Sequence, residues 1–224
     1  MGRFRWIAIA ALLGLTTATG SATAKCASPP NCEAPAHIVL VGMSHDVPDV
    51  RGEFSVTVRD IANNPDAGED VGIDFETCAP DIRIATVQPW AGLTVECTSQ
   101  SPTHATRVHA ITDANGRAVF RIVGAATNHG GAPGSGFNCA YIFGSNCENV
   151  IAFVNIATLD EDGSGGLNPA DLSAWLADAF AYPVSYSSRS DLDGSHTITP
   201  ADFAILLQTS LAAGSTESAP AYCQ

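Results

Sequence analysis

The chain has 224 residues, with 23 Asp and Glu against 10 Lys and Arg, giving a formal charge of −13. Nucleic-acid binding rests on Lys and Arg meeting phosphates, so this balance excludes it. Lys25 is the single lysine.

Residues 1–24 read as a secretory signal. Arg3 and Arg5 make its positive end, residues 6–15 its apolar run, and Ala22-Thr23-Ala24 its cleavage site. The apolar run is too short to span a bilayer, and no later segment is long and apolar enough to anchor. The expectation is an exported soluble chain (secreted, surface-held or periplasmic) without membrane insertion. Loss of Arg3 and Arg5 takes the formal charge from −13 to −15. Cys26 invites a lipoprotein reading, but Lys25 stands where that signal needs a small residue. Residues 25–35 form a short Cys- and Pro-rich segment.

From residue 36 to 157 apolar and polar residues alternate between turn residues, the mark of β-strands. Strands are expected at 37–42, 53–60, 71–77, 107–113, 117–123 and 150–156. In the second, Phe54, Val56 and Val58 share one face. Asn115-Gly116 between two alternating runs predicts a hairpin. Residues 124–138, rich in Gly and Asn, read as a mobile loop. Short strands at this spacing favour an immunoglobulin-like (Ig-like) β-sandwich.

Seven cysteines, Cys26, Cys32, Cys78, Cys97, Cys139, Cys147 and Cys223, imply disulfides in an exported protein. Spacing suggests Cys78 with Cys97 and Cys139 with Cys147, each closing a short excursion. Cys26 pairs with Cys32, or one of them reaches Cys223. The odd cysteine is then Cys223 or Cys26. Zinc is disfavoured, because there is no Cys-x-x-Cys and His104 and His109 have no cysteine pair beside them.

Two segments 31 residues apart repeat one pattern, Asp160-x-Asp162-x-Ser164 to Asp171 and Asp191-x-Asp193-x-Ser195 to Asp202. Each places oxygen side chains at positions 1, 3, 5 and 12 and an aliphatic residue, Leu167 or Ile198, at 8. A hard cation such as Ca²⁺ takes six to eight oxygens, and a tight loop supplies them at alternate positions. Position 7 would add a carbonyl, from Gly166 or Thr197, so two calcium ions are expected. Without them the loop acids, Glu161 among them, would repel one another, which couples metal to fold. Position 6, where Gly permits the sharp turn, is Gly165 in the first loop and His196 in the second. Behind the loops, Leu172, Trp175, Leu176 and Phe180, then Phe203, Leu206, Leu207 and Leu211, step as the apolar stripes of two helices. The helices are expected to bury these stripes against each other.

The loops with their helices resemble the dockerin module over residues 157–214, the module itself being expected at 158–214. The Asp at position 12 and the lack of a preceding helix fit dockerins better than the helix–loop–helix EF-hand. The resemblance implies a small α-helical calcium-binding module that attaches its protein to a cohesin-like partner. It also implies that positions 10 and 11, here Pro169-Ala170 and Pro200-Ala201, touch that partner. The segment 54–68 with Thr112–Phe120 resembles the bacterial Ig-like repeats of intimin and invasin, which implies a display or spacer domain over 36–157. Residues 215–224 are left as a tail.

Catalysis finds little footing. There is no Gly-x-Ser-x-Gly elbow, and His109 with Asp113 on one face lacks a nucleophile. Asp74, Glu76 and Asp81 carry no sign of convergence on a sugar. The expected protein is mainly β, non-enzymatic and exported, with an attachment or assembly module that could also act through self-association. The alternative is an adhesin or carbohydrate-binding Ig-like protein, using Trp90 or the 124–138 loop, whose calcium module is only a structural cap.

Overall fold

Where apolar residues alternate, the chain forms strands that pair over long distances. The computed structural model describes residues 27–42, 52–78, 81–97, 106–126, 137–181, 187–213 and 221–223. The predicted signal, Cys26, His104, most of the 124–138 loop and the Glu76 and Leu211 side chains lie outside that description. Among the described residues the strands are β1 (His37–Leu40), β2 (Glu53–Thr57), β3 (Asp70–Asp74), β4 (Ile82–Ile84), β5 (Leu93–Cys97), β6 (Thr106–Ile111), β7 (Arg117–Arg121), β8 (Gly124–Ala126), β9 (Ala140–Gly144) and β10 (Asn149–Thr158). Helices α1 (Pro169–Ala179) and α2 (Pro200–Ala213) follow, so the chain is mainly β.

Six strands form one sheet in the order β1-β10-β9-β3-β6-β5, while β2–β7 and β4–β8 form two ribbons. The first strand runs parallel to the last, with His37 opposite Asn155 and Leu40 opposite Thr158. The other named pairs are antiparallel. Val71 and Ile73 of β3, Val108 of β6 and Ile142 of β9 share one core with Val56 of β2 and Phe120 of β7. Each such side chain contributes about 1.5–3 kcal/mol when fully buried. Val56 and Val58 are fully buried as their alternation predicts.

The expected Asn115-Gly116 hairpin does not form as a strand pair. The turn is there, closed by Gly116 N–H donating to Asp113 O at 2.9 Å, but β7 leaves it to pair with β2, and β6 pairs with β3 and β5. The reason is close approach. Val58 N–H donates to Gly116 O at 2.7 Å, and a Cβ on Gly116 would lie 2.4 Å from the Val58 carbonyl oxygen. Only glycine admits the end of β2 at this point. The turn therefore carries the chain from one sheet to the other.

Residues 124–126 are strand rather than loop, with Ala125 and Ala126 fully buried. The local disulfide assignments are also corrected. Cys78 bonds Cys139 and Cys97 bonds Cys223, Cys147 is disulfide-bonded, and among the described residues Cys32 is free. Strand pairing explains the first bridge: β9 lies beside β3, so Cys139, just before β9, comes back to Cys78, just after β3.

The helix stripes are only half buried. Trp175 and Leu206 are buried and Trp175 meets Phe203 with ring centres 5.5 Å apart, but Leu176 is 37%, Leu207 40% and Phe180 78% exposed. The helices turn their buried sides toward the sheets as well as toward each other. Val39, Val41, Ala85, Val123 and Ala157 join Leu167, Trp175, Leu192 and Leu206 in a second core. Trp90, half-buried, packs against that core.

Candidate metal centre

Each loop gathers three carboxylates, Asp160, Asp162 and Asp171 in the first and Asp191, Asp193 and Asp202 in the second, with ligand oxygens within 4.8 Å of one another. The local cause is the same four hydrogen bonds made twice. The position-6 amide, of Gly165 or His196, donates to the first Asp at 2.8 Å. The position-5 amide, of Ser164 or Ser195, donates to the second at 2.9 Å. The last Asp accepts from position 3 at 3.0 Å and from position 9 at 2.7 Å. In the first loop that last bond belongs to a capping box, because Asn168 also accepts from Ala170 N–H and so starts α1.

The backbone repeats too. Position 4 has φ 72° in both loops, at Gly163 and Gly194, and position 6 has φ 99° at Gly165 and 64° at His196. The expected positive φ at His196 is therefore present, in a region costly for a side-chain-bearing residue. Its ring is held at the edge of the fold, Nδ1 lying 3.4 Å from Asn155 Nδ2.

The electrostatics are those of a crowded anion cage. Burial, with Asp162 alongside, raises Asp160 to about 6. Burial and the two neighbouring aspartates raise Asp171 to about 7. Asp202 is raised by burial, with Asp193 and Asp191 adding repulsion. Hydrogen bonding from Ser195 holds Asp193 below the usual range. Asp160 is fully buried, and its Oδ1 has no hydrogen-bond partner. A buried carboxylate oxygen left unpaired is costly, and an all-oxygen donor set of this kind fits a hard cation. The side chains of Asp160, Asp162, Ser164 and Asp171, with the Gly166 carbonyl, would hold one ion. Asp191, Asp193, Ser195, Asp202 and the Thr197 carbonyl would hold the other. Ser195 Oγ now donates to Thr197 O at 3.1 Å, so two of these groups are already adjacent.

Glu161, though repelled by Asp171, has partners of its own outside the cage. Its buried carboxylate accepts from Ser190 Oγ at 2.8 Å and lies 3.6 Å from Arg189 Nε. Arg189, fully buried, also bonds Asp178 of α1 at 2.7 and 2.8 Å. A charged knot thus ties loop 1, α1 and the segment entering loop 2. Trp175 Nε1–H reinforces it by donating to Ser190 O at 2.9 Å.

Sequence reasoning missed what the β fold lends to the loops. Tyr222 OH reaches Asp160 Oδ2 at 3.3 Å, and Ala126 N–H of β8 donates to Asp160 O at 2.9 Å. The His37 ring of β1 stands 3.0 Å from where a Cβ on Gly194 would be. Pro169, Ala170, Pro200 and Ala201 are all exposed at the helix starts. His109 turns to Asp70, 3.2 Å away, instead of Asp113, which caps its own turn by accepting from Asn115 and Arg117 N–H. Asp74 is buried against Arg107 at 2.7 Å and accepts from Tyr141 OH at 3.0 Å. No family model, curated protein or solved structure matches the chain.

Proposed function

We propose that this chain is an exported, non-enzymatic calcium-binding protein in which a dockerin-like pair of calcium loops caps one end of an Ig-like β domain. The carrying observation is the duplicated carboxylate cage, built by four equivalent hydrogen bonds in each loop. Support for the Ig-like part comes from topology. Strands β3, β9 and β10 are neighbours in one sheet and β2 pairs with β7 in another, the arrangement of strands C, F, G and B, E in that fold. Support for the cap comes from the second core, to which the sheets and the loop–helix pair both contribute. In this reading the β domain carries the adhesive or display role.

A second reading, attachment to a cohesin-like partner or to another copy, is favoured by one observation. The four residues that the dockerin resemblance assigns to recognition are exposed on both helix starts. Calorimetry with calcium and after its removal tests the metal: a calcium-dependent rise in melting temperature is expected, and identical profiles refute it. A chain ending at Leu159 separates the two roles. The cap reading expects a large fall in melting temperature and aggregation, and an unchanged melt overturns it in favour of attachment.

A further inference from the structure

We propose that Tyr222, anchored by the Cys97–Cys223 disulfide, is a positioning residue for the first calcium loop, its hydroxyl occupying one oxygen of Asp160 so that the other faces the cation. This rests on the calcium reading above and deepens it at loop 1. Residues 221–223 return to the β fold far from their neighbours in sequence. Thr86 N–H donates to Ala221 O at 2.8 Å and Cys223 N–H to Ile84 O at 2.9 Å, and Ala85 bridges Tyr222. The disulfide then fastens the tail to Cys97, at the end of β5. Between these fixed points the Tyr222 ring lies under the Arg83 guanidinium, 4.7 Å from its centre.

The ring is thereby aimed at loop 1. Asp160 Oδ2 takes the Tyr222 hydroxyl at 3.3 Å and Gly165 N–H at 2.8 Å. Asp160 Oδ1, equally buried, takes no hydrogen bond. A carboxylate with both bonds on one oxygen has its rotation fixed, and its second oxygen is presented without reorganisation when a cation arrives. Groups that orient a metal ligand in this way typically govern affinity by about 10–100-fold. Loop 2 is supported differently, by the His37 ring packed on Gly194, and so serves as an internal control.

The test is isothermal titration of calcium into the full chain carrying Asp193→Ala, which leaves loop 1 as the reporter, and into the chain carrying Asp162→Ala, which leaves loop 2. Tyr222→Phe keeps the ring on Arg83 and removes only the hydroxyl. It is expected to weaken loop 1 about tenfold, leave loop 2 unchanged and lower the melting temperature of the calcium-free protein by no more than about 2–4 °C, the worth of one hydrogen bond. Cys97→Ser with Cys223→Ser should weaken loop 1 at least as much. If the serine pair fails to fold, Tyr222→Phe decides alone. Calcium bound by both loops with loop 1 indifferent to Tyr222→Phe overturns this proposal and leaves the calcium reading standing. Equal weakening of both loops overturns it as well, since that is general loosening. A wild-type chain that binds no calcium overturns the calcium reading itself.

Discussion

Without a cation in its loops, this protein should become less stable as pH rises from 4 to 8, against the usual trend for acid-sensitive folds. In the metal-free fold Asp160 stands at about 6 and Asp171 at about 7, against an ordinary 3.8. A carboxyl raised on folding holds its proton more tightly folded than unfolded. Its contribution is complete below the unfolded value and is lost as pH climbs through the folded one. At about 1.4 kcal/mol per pKa unit, the shifts correspond to about 3 and about 4 kcal/mol. The two share one cage and titrate together, so their sum is a ceiling. Burial pushes Glu69, Glu161 and Asp202 the same way. His37, lowered by burial from 6.5, opposes them, because its contribution is present above that value and lost below it. Asp113, Asp162 and Asp193, held below the usual 3.8, also oppose them, but their contribution is already largely gained by about pH 5, so over the rest of the range the five raised carboxyls outweigh one imidazole. A net loss of about 3 kcal/mol in a chain of this length lowers the melting temperature by about 6–12 °C. Thermal unfolding in calcium-free buffer from pH 4 to 8 should show this fall, and millimolar calcium should abolish it by taking the place of the protons. A calcium-free protein most stable at pH 7–8 refutes the reasoning.

Arg189→Leu leaves Glu161 and Asp178 facing each other without their shared cation, and should cost about 3–5 kcal/mol in chemical denaturation. A change under about 1 kcal/mol would show that the buried knot is not a stabilising unit. His196→Gly relieves a positive φ of 64° and should raise the stability of the calcium-bound protein by about 1 kcal/mol, read as a shift in denaturation midpoint, with a fall counting against strain at that position. Replacing Pro169-Ala170 and Pro200-Ala201 by bulky charged pairs should leave calcium titration and melting unchanged, because all four residues are exposed. Loss of calcium binding would show that they support the loops instead.

The loops were legible because their carboxylates recur at fixed spacing, and two copies 31 residues apart expose the rule. Strands β1, β2, β3, β6, β7 and β10 were legible through alternation. Partnership between strands was not. Asn115-Gly116 announces a turn, but which strand receives the chain is decided by Val58 backbone bonding at Gly116. Short strands of small residues, such as Gly124–Ala126, carry too little side chain to leave a pattern. The Cys97–Cys223 bridge spans 126 residues, beyond any argument from local spacing. Glu161 read as one more loop acid because its counterion, Arg189, lies 28 positions further on.

The boundary expected at residue 157 rests on periodicity alone. Periodicity divides a β half from a helical half, and a divided protein would let calcium stabilise the second without touching the first. The packing argues otherwise. Asp160 is held by the β8 backbone and by Tyr222, which is itself bridged to Ala85. Gly194 of the second loop lies against His37, whose strand pairs with β10. Val41, Ala85 and Val123 share their core with Leu167 and Leu206. Ligand binding adds to the stability of whatever must be folded to make the site. Here that includes the β4–β8 ribbon and the parallel edge of the large sheet. Calcium should therefore shift one cooperative unfolding transition of the whole chain, with the loops and the β fold unfolding together; two separate calorimetric transitions, only one of them calcium-dependent, would refute this.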